Sequence, residues 1–135
     1  MRKRLLPLVL GSAALVAGCG SSAADKIDMA KVRSVVTQFA ASNGPRACDL
    51  LSPDALVNVY GGFKKTPQQA HAACVRQSKR FRGQHVKIVA SRVIDPQTVR
   101  LSAVSPNGKV SYTVTVQKVG ANWRIEQINQ AKAEQ

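Results

Sequence analysis

The spacing of apolar residues along the chain changes after Gly83. Before that position, apolar residues recur every three or four positions, as they do on one face of a helix. After it they recur at every second position, as they do on one face of a half-buried strand. The pattern therefore predicts helices in the first part of the chain and strands in the second.

The first predicted helix spans 28–41, with Asp28 as its N-cap, and it ends at the breaker residues of 43–45. A short helix is predicted over 46–51. Residues 56–60 fit either a short helix or a short strand, because this apolar run is too brief for its period to decide.

The third main helix begins at Thr66, which can form a capping box with Gln69. Pro67 suits the first helical position, and Gly83 suits the end of the helix. The residues predicted to face inward are Ala70, Ala73, Cys74, Gln77 and Phe81.

Four alternating stretches follow, separated by turn-forming residues at 95–96, 105–108 and 120–122. The predicted inward positions are Val86, Ile88, Ala90, Val99, Leu101, Ala103, Val110, Tyr112, Val114, Val116, Trp123 and Ile125. Short turns between consecutive strands predict an antiparallel meander. Clean alternation predicts that one face of this sheet is packed and the other is wetter.

These elements predict a single α+β domain over 27–130, with N-terminal helices packed on a four-stranded antiparallel sheet and a C-terminal tail at 131–135. A length of 135 residues allows one domain. A hydrophobic content of 44% is ordinary for a globular protein. Aromatic residues make up only 4% of the chain, so the core must be mainly aliphatic.

Residues 1–18 have the pattern of a secretory signal peptide. Basic residues at 2–4 precede an apolar run at 5–16, which is shorter than the ~20 residues that a membrane-spanning helix needs. The run ends in Val16-Ala17-Gly18-Cys19, which resembles the lipobox of bacterial lipoproteins. An ordinary cleaved signal followed by a chance cysteine is the alternative.

The lipoprotein resemblance implies that Cys19 receives a diacylglyceryl group, becomes the first residue after cleavage and is then acylated on its new amine. Residues 19–26 would form a flexible tether. The acyl chains would hold the protein at the extracytoplasmic face of the cell membrane.

The chain has three cysteines. If Cys19 carries lipid, Cys48 and Cys74 remain, and an oxidising compartment would allow them to form a disulfide. Two buried free thiols or a metal site are the alternatives. Because the sequence has only two histidines and no Cys-x-x-Cys motif, we predict no metal site. We also predict no cofactor, because no glycine-rich phosphate loop is present.

The order of elements, together with residues 119–126 (Val-Gly-Ala-Asn-Trp-Arg-Ile-Glu) at the start of the last strand, resembles the nuclear transport factor 2-like superfamily. The resemblance covers about residues 27–130. It implies a curved sheet that wraps around the helices as a cone, often with a cavity at the wide end. The family usually has a short strand between its second and third helices, for which 56–60 is the candidate. An unrelated α+β domain is the alternative.

Two classes of function follow from this interpretation. The first is a non-catalytic domain that binds an apolar ligand or serves an envelope complex, and this is the one we expect. The second is a cavity enzyme resembling isomerases and dehydratases, which needs an acid or base in an apolar pocket. Its candidates are Glu126 and Asp95, although a strand glutamate is more often a solvated partner of a basic residue. We assign no catalytic residue.

The chain is strongly basic, with 20 Lys and Arg residues against 7 Asp and Glu residues. One group, here called the helical basic set, comprises Lys64, Lys65, Arg76, Lys79, Arg80 and Arg82. For a membrane-tethered protein, it could contact anionic lipid or an acidic wall polymer; a solvated face without a partner is the alternative. Nucleic acid is not expected, because no recognised motif is present and aromatics for base stacking are scarce. No protein partner is identified.

Overall fold

The structure, a computed structural model, describes residues 27–62 and 65–132. Its helices are α1 (Met29–Ala41), α2 (Arg46–Asp49), α3 (Pro53–Leu56) and α4 (Pro67–Gln77). A π-helical turn, Val57–Gly61, continues α3, and a 3-10 turn, Ser78–Arg80, continues α4. The strands are β1 (Lys87–Asp95), β2 (Thr98–Val104), β3 (Val110–Val119) and β4 (Asn122–Lys132).

Several predicted features lie outside the described residues: the signal peptide at 1–18, Cys19, the tether up to residue 26, and Lys64. At the other end, β4 runs to Lys132. Ala131 and Lys132 therefore belong to the sheet, although the sequence assigns them to a tail at 131–135. None of the helices within 27–62 and 65–132 is long and apolar enough to cross a membrane.

The predicted helix starts are confirmed by their capping bonds. The Asp28 side chain accepts a hydrogen bond from the backbone N–H of Lys31 at 3.2 Å. Thr66 and Gln69 form the reciprocal bonds of a capping box. Ser52, buried at the start of α3, accepts from the backbone N–H of Ala55 at 3.0 Å. Each cap satisfies an amide that the first helical turn leaves without an intrahelical partner.

Residues 56–60 are helical, so the short strand expected from the family resemblance is not formed there. A single parallel bridge between Leu51 and Ile125 connects the helical part to the sheet instead. The Ile125 N–H donates to the Leu50 carbonyl at 2.7 Å, and the Ser52 N–H donates to the Ile125 carbonyl at 2.8 Å. These two bonds fix the α2–α3 connection beside β4.

The prediction that Gln77 faces inward is wrong, because Gln77 is exposed and Ser78 is buried in its place. Residues three and four apart on a helix both lie near the same face, and here the residue four positions after Cys74 is the buried one. The Ser78 hydroxyl donates to the Val75 carbonyl at 2.6 Å, which satisfies this buried polar group.

The four strands form one antiparallel sheet in the order β1-β2-β3-β4. The register shifts twice in β1 and once in the β3–β4 pair. One shift, between Ile88 and Ala90, makes Val89 an extra residue and turns Ala90 to the outer face. The prediction that Ala90 faces inward is therefore wrong.

The fold is thus α+β, with helices packed on one face of an open four-stranded antiparallel sheet. Aliphatic side chains from the predicted inner face of the sheet meet the helices, and Val99, Leu101, Val116 and Ile125 are almost completely buried. Trp123 joins this core with 7% of its surface exposed. The predicted core of the central strands is confirmed.

Candidate functional site

A cavity of about 250 Å³ lies between the C-terminal half of α1, the segment that follows α4 and the inner face of the sheet. Its lining residues are Val36, Phe39, Ala40, Ser42, Ala47, Tyr60, Phe81, Arg82, Gln84, Val86, Ala103, Tyr112, Val114, Ile125 and Ile128. Most of these side chains are apolar. Arg82 is exposed and Ile128 keeps 38% of its surface exposed, so they mark the side that opens to solvent.

The segment after α4 forms one wall of the cavity because backbone bonds hold it against the end of α1. The Gln84 N–H donates to the Ala40 carbonyl at 2.8 Å. The Gly83 N–H donates to the Asn43 side-chain oxygen at 2.6 Å. A Cβ on Gly83 would press on the carbonyl group of Ala41, so only glycine permits this approach.

Three polar side chains line the cavity near its open side. The Gln84 amide donates to the Tyr112 hydroxyl oxygen at 2.8 Å. Because this oxygen accepts that bond, the Tyr112 hydroxyl proton stays available for a ligand. The Arg82 guanidinium donates to the Phe81 carbonyl at 3.3 Å and has further N–H groups to offer. The opening therefore presents hydrogen-bond donors and one fixed positive charge.

Tyr60 reaches the cavity from the π-helical turn. Desolvation by burial raises the pKa of its phenol above the ordinary value of 10.0. A π-helical turn changes the direction in which successive side chains point, and such turns are frequent at functional sites. The turn is thus the local feature that brings this aromatic side chain into the wall.

Neither acid considered for catalysis lines the cavity. Asp95 is exposed at the β1–β2 turn, where its carboxylate accepts from the Gln97 N–H at 2.8 Å. Glu126 is partly buried at the register shift of the β3–β4 pair. No aspartate, glutamate or histidine is among the lining residues that the structure describes.

Cys48 of α2 and Cys74 of α4 form a disulfide with their Cα atoms 5.9 Å apart. Both residues are fully buried. An ion pair between Asp49 and His71 joins the same two helices at 2.7 Å on the surface. The described part of the chain contains no group of three or more potential metal ligands.

The helical basic set divides into separate places. Lys65 precedes α4, whereas Arg76, Lys79 and Arg80 are exposed at its far end. The 11 residues of α4 separate the two groups by about 16 Å. Arg82 lies at the cavity opening instead. The structure therefore does not bring the described members of the set together as one patch.

Sequence reasoning missed the polar groups of the cavity opening and the pairing of Arg92 with Arg100 on the outer face of the sheet. Tyr112 was assigned only a packing role, although alternation along β3 correctly placed it inward. The sequence signal that could have placed Arg100 on the outer face is its position between Val99 and Leu101. Both neighbours are buried, so the side chain of Arg100 points away from the helices.

No family model matches this chain, and no curated protein matches it. Its similarities to solved structures are weak. A designed protein with a curved β-sheet is 16% identical with a TM-score of 0.46, covering 76% of this chain and 96% of its own. A DUF4783 family protein from Bacteroides ovatus is 16% identical with a TM-score of 0.46, covering 75% and 94%.

A putative calcium/calmodulin dependent protein kinase II association domain from Xanthomonas campestris is 18% identical with a TM-score of 0.42, covering 77% of this chain and 84% of its own. At these identities and TM-scores, the three proteins assign neither a fold family nor a function to this chain.

Proposed function

We propose that this protein is a lipid-anchored, extracytoplasmic binding domain that holds a small amphiphilic molecule without transforming it. The observation that carries the proposal is the cavity, whose wall is apolar and whose opening presents Arg82, Gln84 and Tyr112. Sites of this composition, a mostly apolar concavity with a few convergent polar groups, are typical of small-molecule binding.

The size of the cavity limits the ligand. A volume of about 250 Å³ equals the space of about eight waters, which fits roughly eight to ten non-hydrogen atoms. A short acyl chain or one substituted ring has this size. The apolar part would lie against Val36, Val114 and Ile125, where water is displaced at little cost because few groups there bind it.

The polar groups at the opening define the other end of the ligand. Arg82 and the Tyr112 hydroxyl both donate, and Arg82 carries a permanent charge. A carboxylate or phosphate head can accept from both and gains a charge-assisted bond. The proposed ligand class is therefore a short-chain or single-ring anion.

Neither of the two acids considered for catalysis lines the cavity. A catalytic acid or base must lie within hydrogen-bond reach of the substrate. Glu126 and Asp95 lie on other surfaces and do not supply one.

The location and the cone shape are parts of the same proposal. The lipobox-like Val16-Ala17-Gly18-Cys19 supports a lipid anchor on the membrane's outer side. The register shifts in β1 and β4 support a curved sheet of the nuclear transport factor 2-like kind, because bulges bend strands. A cavity between helices and a curved sheet is consistent with that cone.

The test is calorimetric titration of octanoate into the full chain, held in phosphatidylcholine nanodiscs. Ala40→Phe places a large side chain in the cavity and should abolish saturable binding. Ala41→Phe, on the exposed neighbour of Ala40, should leave binding unchanged. Absence of saturable heat below about 1 mM octanoate for the wild-type chain would overturn the proposal.

A second arm tests the charged head. Arg82→Gln should weaken octanoate binding about 10-fold and leave octanol binding unchanged, because only the anion loses a charge-assisted bond. Arg80→Gln removes an equal charge from an exposed neighbour outside the cavity and should change neither. Equal effects of the two substitutions would mean that net charge, not the cavity opening, attracts the anion.

A further inference from the structure

The outer face of the sheet carries two exposed arginines, here called the outer arginines: Arg92 and Arg100. Arg100 lies between buried Val99 and Leu101, so its side chain points away from the helices. Arg92 pairs directly with Arg100 across the β1–β2 ladder.

Placing Arg92 opposite Arg100 costs stability, because like charges directly across an antiparallel pair repel. Arg100 has Thr115 as its neighbour on β3. Within the described residues the one ion pair joins Asp49 to His71, so no carboxylate there neutralises the outer arginines. The two arginines therefore form a basic surface that attracts anions.

The N-terminal helix lies along the β4 side of this sheet. Residues of α1 from Lys31 to Gln38 line a surface groove together with Arg124 and the three residues before it. The β1–β2 and β3–β4 turns lie side by side, because the Lys118 N–H donates to the Gln97 carbonyl at 2.8 Å. The described chain therefore begins beside the sheet that carries the outer arginines.

The cavity lies on the other face of the sheet. It is enclosed between the helices and inward-facing sheet residues such as Val114 and Ile125. A domain that rests on the outer face of its sheet therefore presents its helices and the cavity away from the surface beneath it.

We propose that the outer arginines dock the outer face of the sheet on an anionic phospholipid bilayer, so that the helices and the cavity lie on the side away from the membrane. This inference rests on the lipid anchor of the proposed function. The segment 19–26 spans at most about 29 Å when fully extended, so an anchor at Cys19 keeps the outer arginines close to headgroups. Phosphate groups fit the planar guanidinium fork.

Trp123 is a natural reporter of this contact. It is the only tryptophan of the chain, and it lies in β4 of the sheet that carries the outer arginines. The experiment uses the full chain in vesicles that contain a phosphatidylcholine with a nitroxide on its headgroup. Quenching of Trp123 fluorescence is compared between vesicles of phosphatidylcholine alone and vesicles with 30% phosphatidylglycerol.

We expect quenching to rise with phosphatidylglycerol and to fall in 1 M salt, because charge attraction to lipid is screened. The Arg92→Gln/Arg100→Gln double variant should lower the docking equilibrium constant about 30-fold. Its free energy of unfolding should be no lower than that of the wild-type chain, because the repulsion between the two arginines is removed. The matched control, Arg76→Gln/Arg80→Gln, removes equal charge from the end of α4 and should keep the quenching.

The inference is overturned if quenching does not change when phosphatidylglycerol is added. It is also overturned if the two double variants lose quenching equally. Loss of quenching only in the Arg76→Gln/Arg80→Gln variant would assign docking to the helical basic set. A further outcome would assign the surface to a wall polymer: soluble poly(glycerol phosphate) binds through Arg92 and Arg100, and phosphatidylglycerol has no effect. Flotation of the chain with vesicles in 1 M salt tests the lipid anchor separately. Quenching measured at low salt then tests the outer arginines, whatever the flotation shows.

Discussion

Gly83 shows how one residue without a side chain positions the wall of the cavity. The chain passes close to the end of α1 at this point, and an added Cβ would meet the carbonyl group of Ala41. The neighbouring bond from the Gln84 N–H to the Ala40 carbonyl, at 2.8 Å, depends on that approach. The same Gln84 then holds Tyr112 through its side chain, so backbone geometry at Gly83 controls the polar groups of the opening.

Gly83→Ala should therefore lower the free energy of unfolding by about 1–3 kcal/mol, because backbone atoms must move to admit the methyl group. Gly44→Ala is the matched control. A Cβ there meets nothing within 4 Å, so its effect should stay within about 0.5 kcal/mol. Urea unfolding followed by Trp123 fluorescence measures both. Equal stability of the two variants would show that the close approach does not occur.

Tyr60 provides a pH-dependent test of the cavity wall. Because burial raises the pKa of its phenol above 10.0, the native state favours the neutral form. The stabilisation is fully present below the unfolded-state pKa of about 10 and is lost as the pH rises through the folded-state pKa. The difference in phenolate absorbance between wild-type protein and Tyr60→Phe should titrate above pH 10.0. A difference curve centred at or below that value would place Tyr60 in solvent.

At the scale of elements, two links join α2 to α4, and they differ greatly in strength. The disulfide closes a loop with a sequence separation of 26 and is completely buried. The Asp49–His71 pair is on the surface, with 66% and 39% of the side chains exposed. Exposed ion pairs contribute little because water and salt screen them. The disulfide should therefore hold the two helices together.

The Cys48→Ala/Cys74→Ala double variant should lose about 3 kcal/mol of unfolding free energy. A reducing agent should destabilise the wild-type chain by a similar amount and leave the double variant unchanged. His71→Gln should cost less than about 1 kcal/mol. Denaturant unfolding under oxidising and reducing conditions gives all of these values. A larger loss of stability from His71→Gln than from the double variant would mean that the surface pair, not the disulfide, holds the two helices together.

The elements that could be predicted from the sequence are those with a repeated local signal. Alternation located Val99, Leu101 and Ala103 in the core, and the capping residues located the start of α4. The failure at Ala90 arises because a bulge adds one residue to β1, which changes the face without changing residue type. The failure at Gln77 arises because residues three and four apart lie near the same helix face, so spacing alone does not decide between Gln77 and Ser78. The cavity opening was missed because Arg82, Gln84 and Tyr112 come together only when distant segments pack.

At the scale of the whole molecule, charge and cavity occupy opposite faces of the sheet. The outer arginines lie on the outer face, and the cavity lies between the helices and the inner face. An anchor at Cys19 would hold the domain close to the membrane, and docking by the outer arginines would leave the cavity on the far side of the sheet. This division explains how a chain with a net charge of +13 could bind lipid headgroups without closing its own ligand site.

Removal of the anchor tests this arrangement in cells. Cys19→Ala should shift the protein out of the membrane fraction, because the thiol that would carry the diacylglyceryl group is lost. Ser21→Ala, in the same predicted tether, should remain in the membrane fraction. Mass spectrometry of the wild-type chain should find an acylated Cys19 at the N-terminus. An intact Met1 or an unmodified thiol at Cys19 would contradict the lipoprotein interpretation.

The central claim is that the cavity binds a small amphiphile, and contact between ligand and wall tests it most directly. Nuclear Overhauser effects can be measured between octanoate and valine and isoleucine methyl groups of the full chain in nanodiscs. We predict contacts from the acyl chain to Val36, Val114 and Ile128, which line the cavity. Contacts confined to exposed Val59 and Val89, or none at saturating octanoate, would contradict the account.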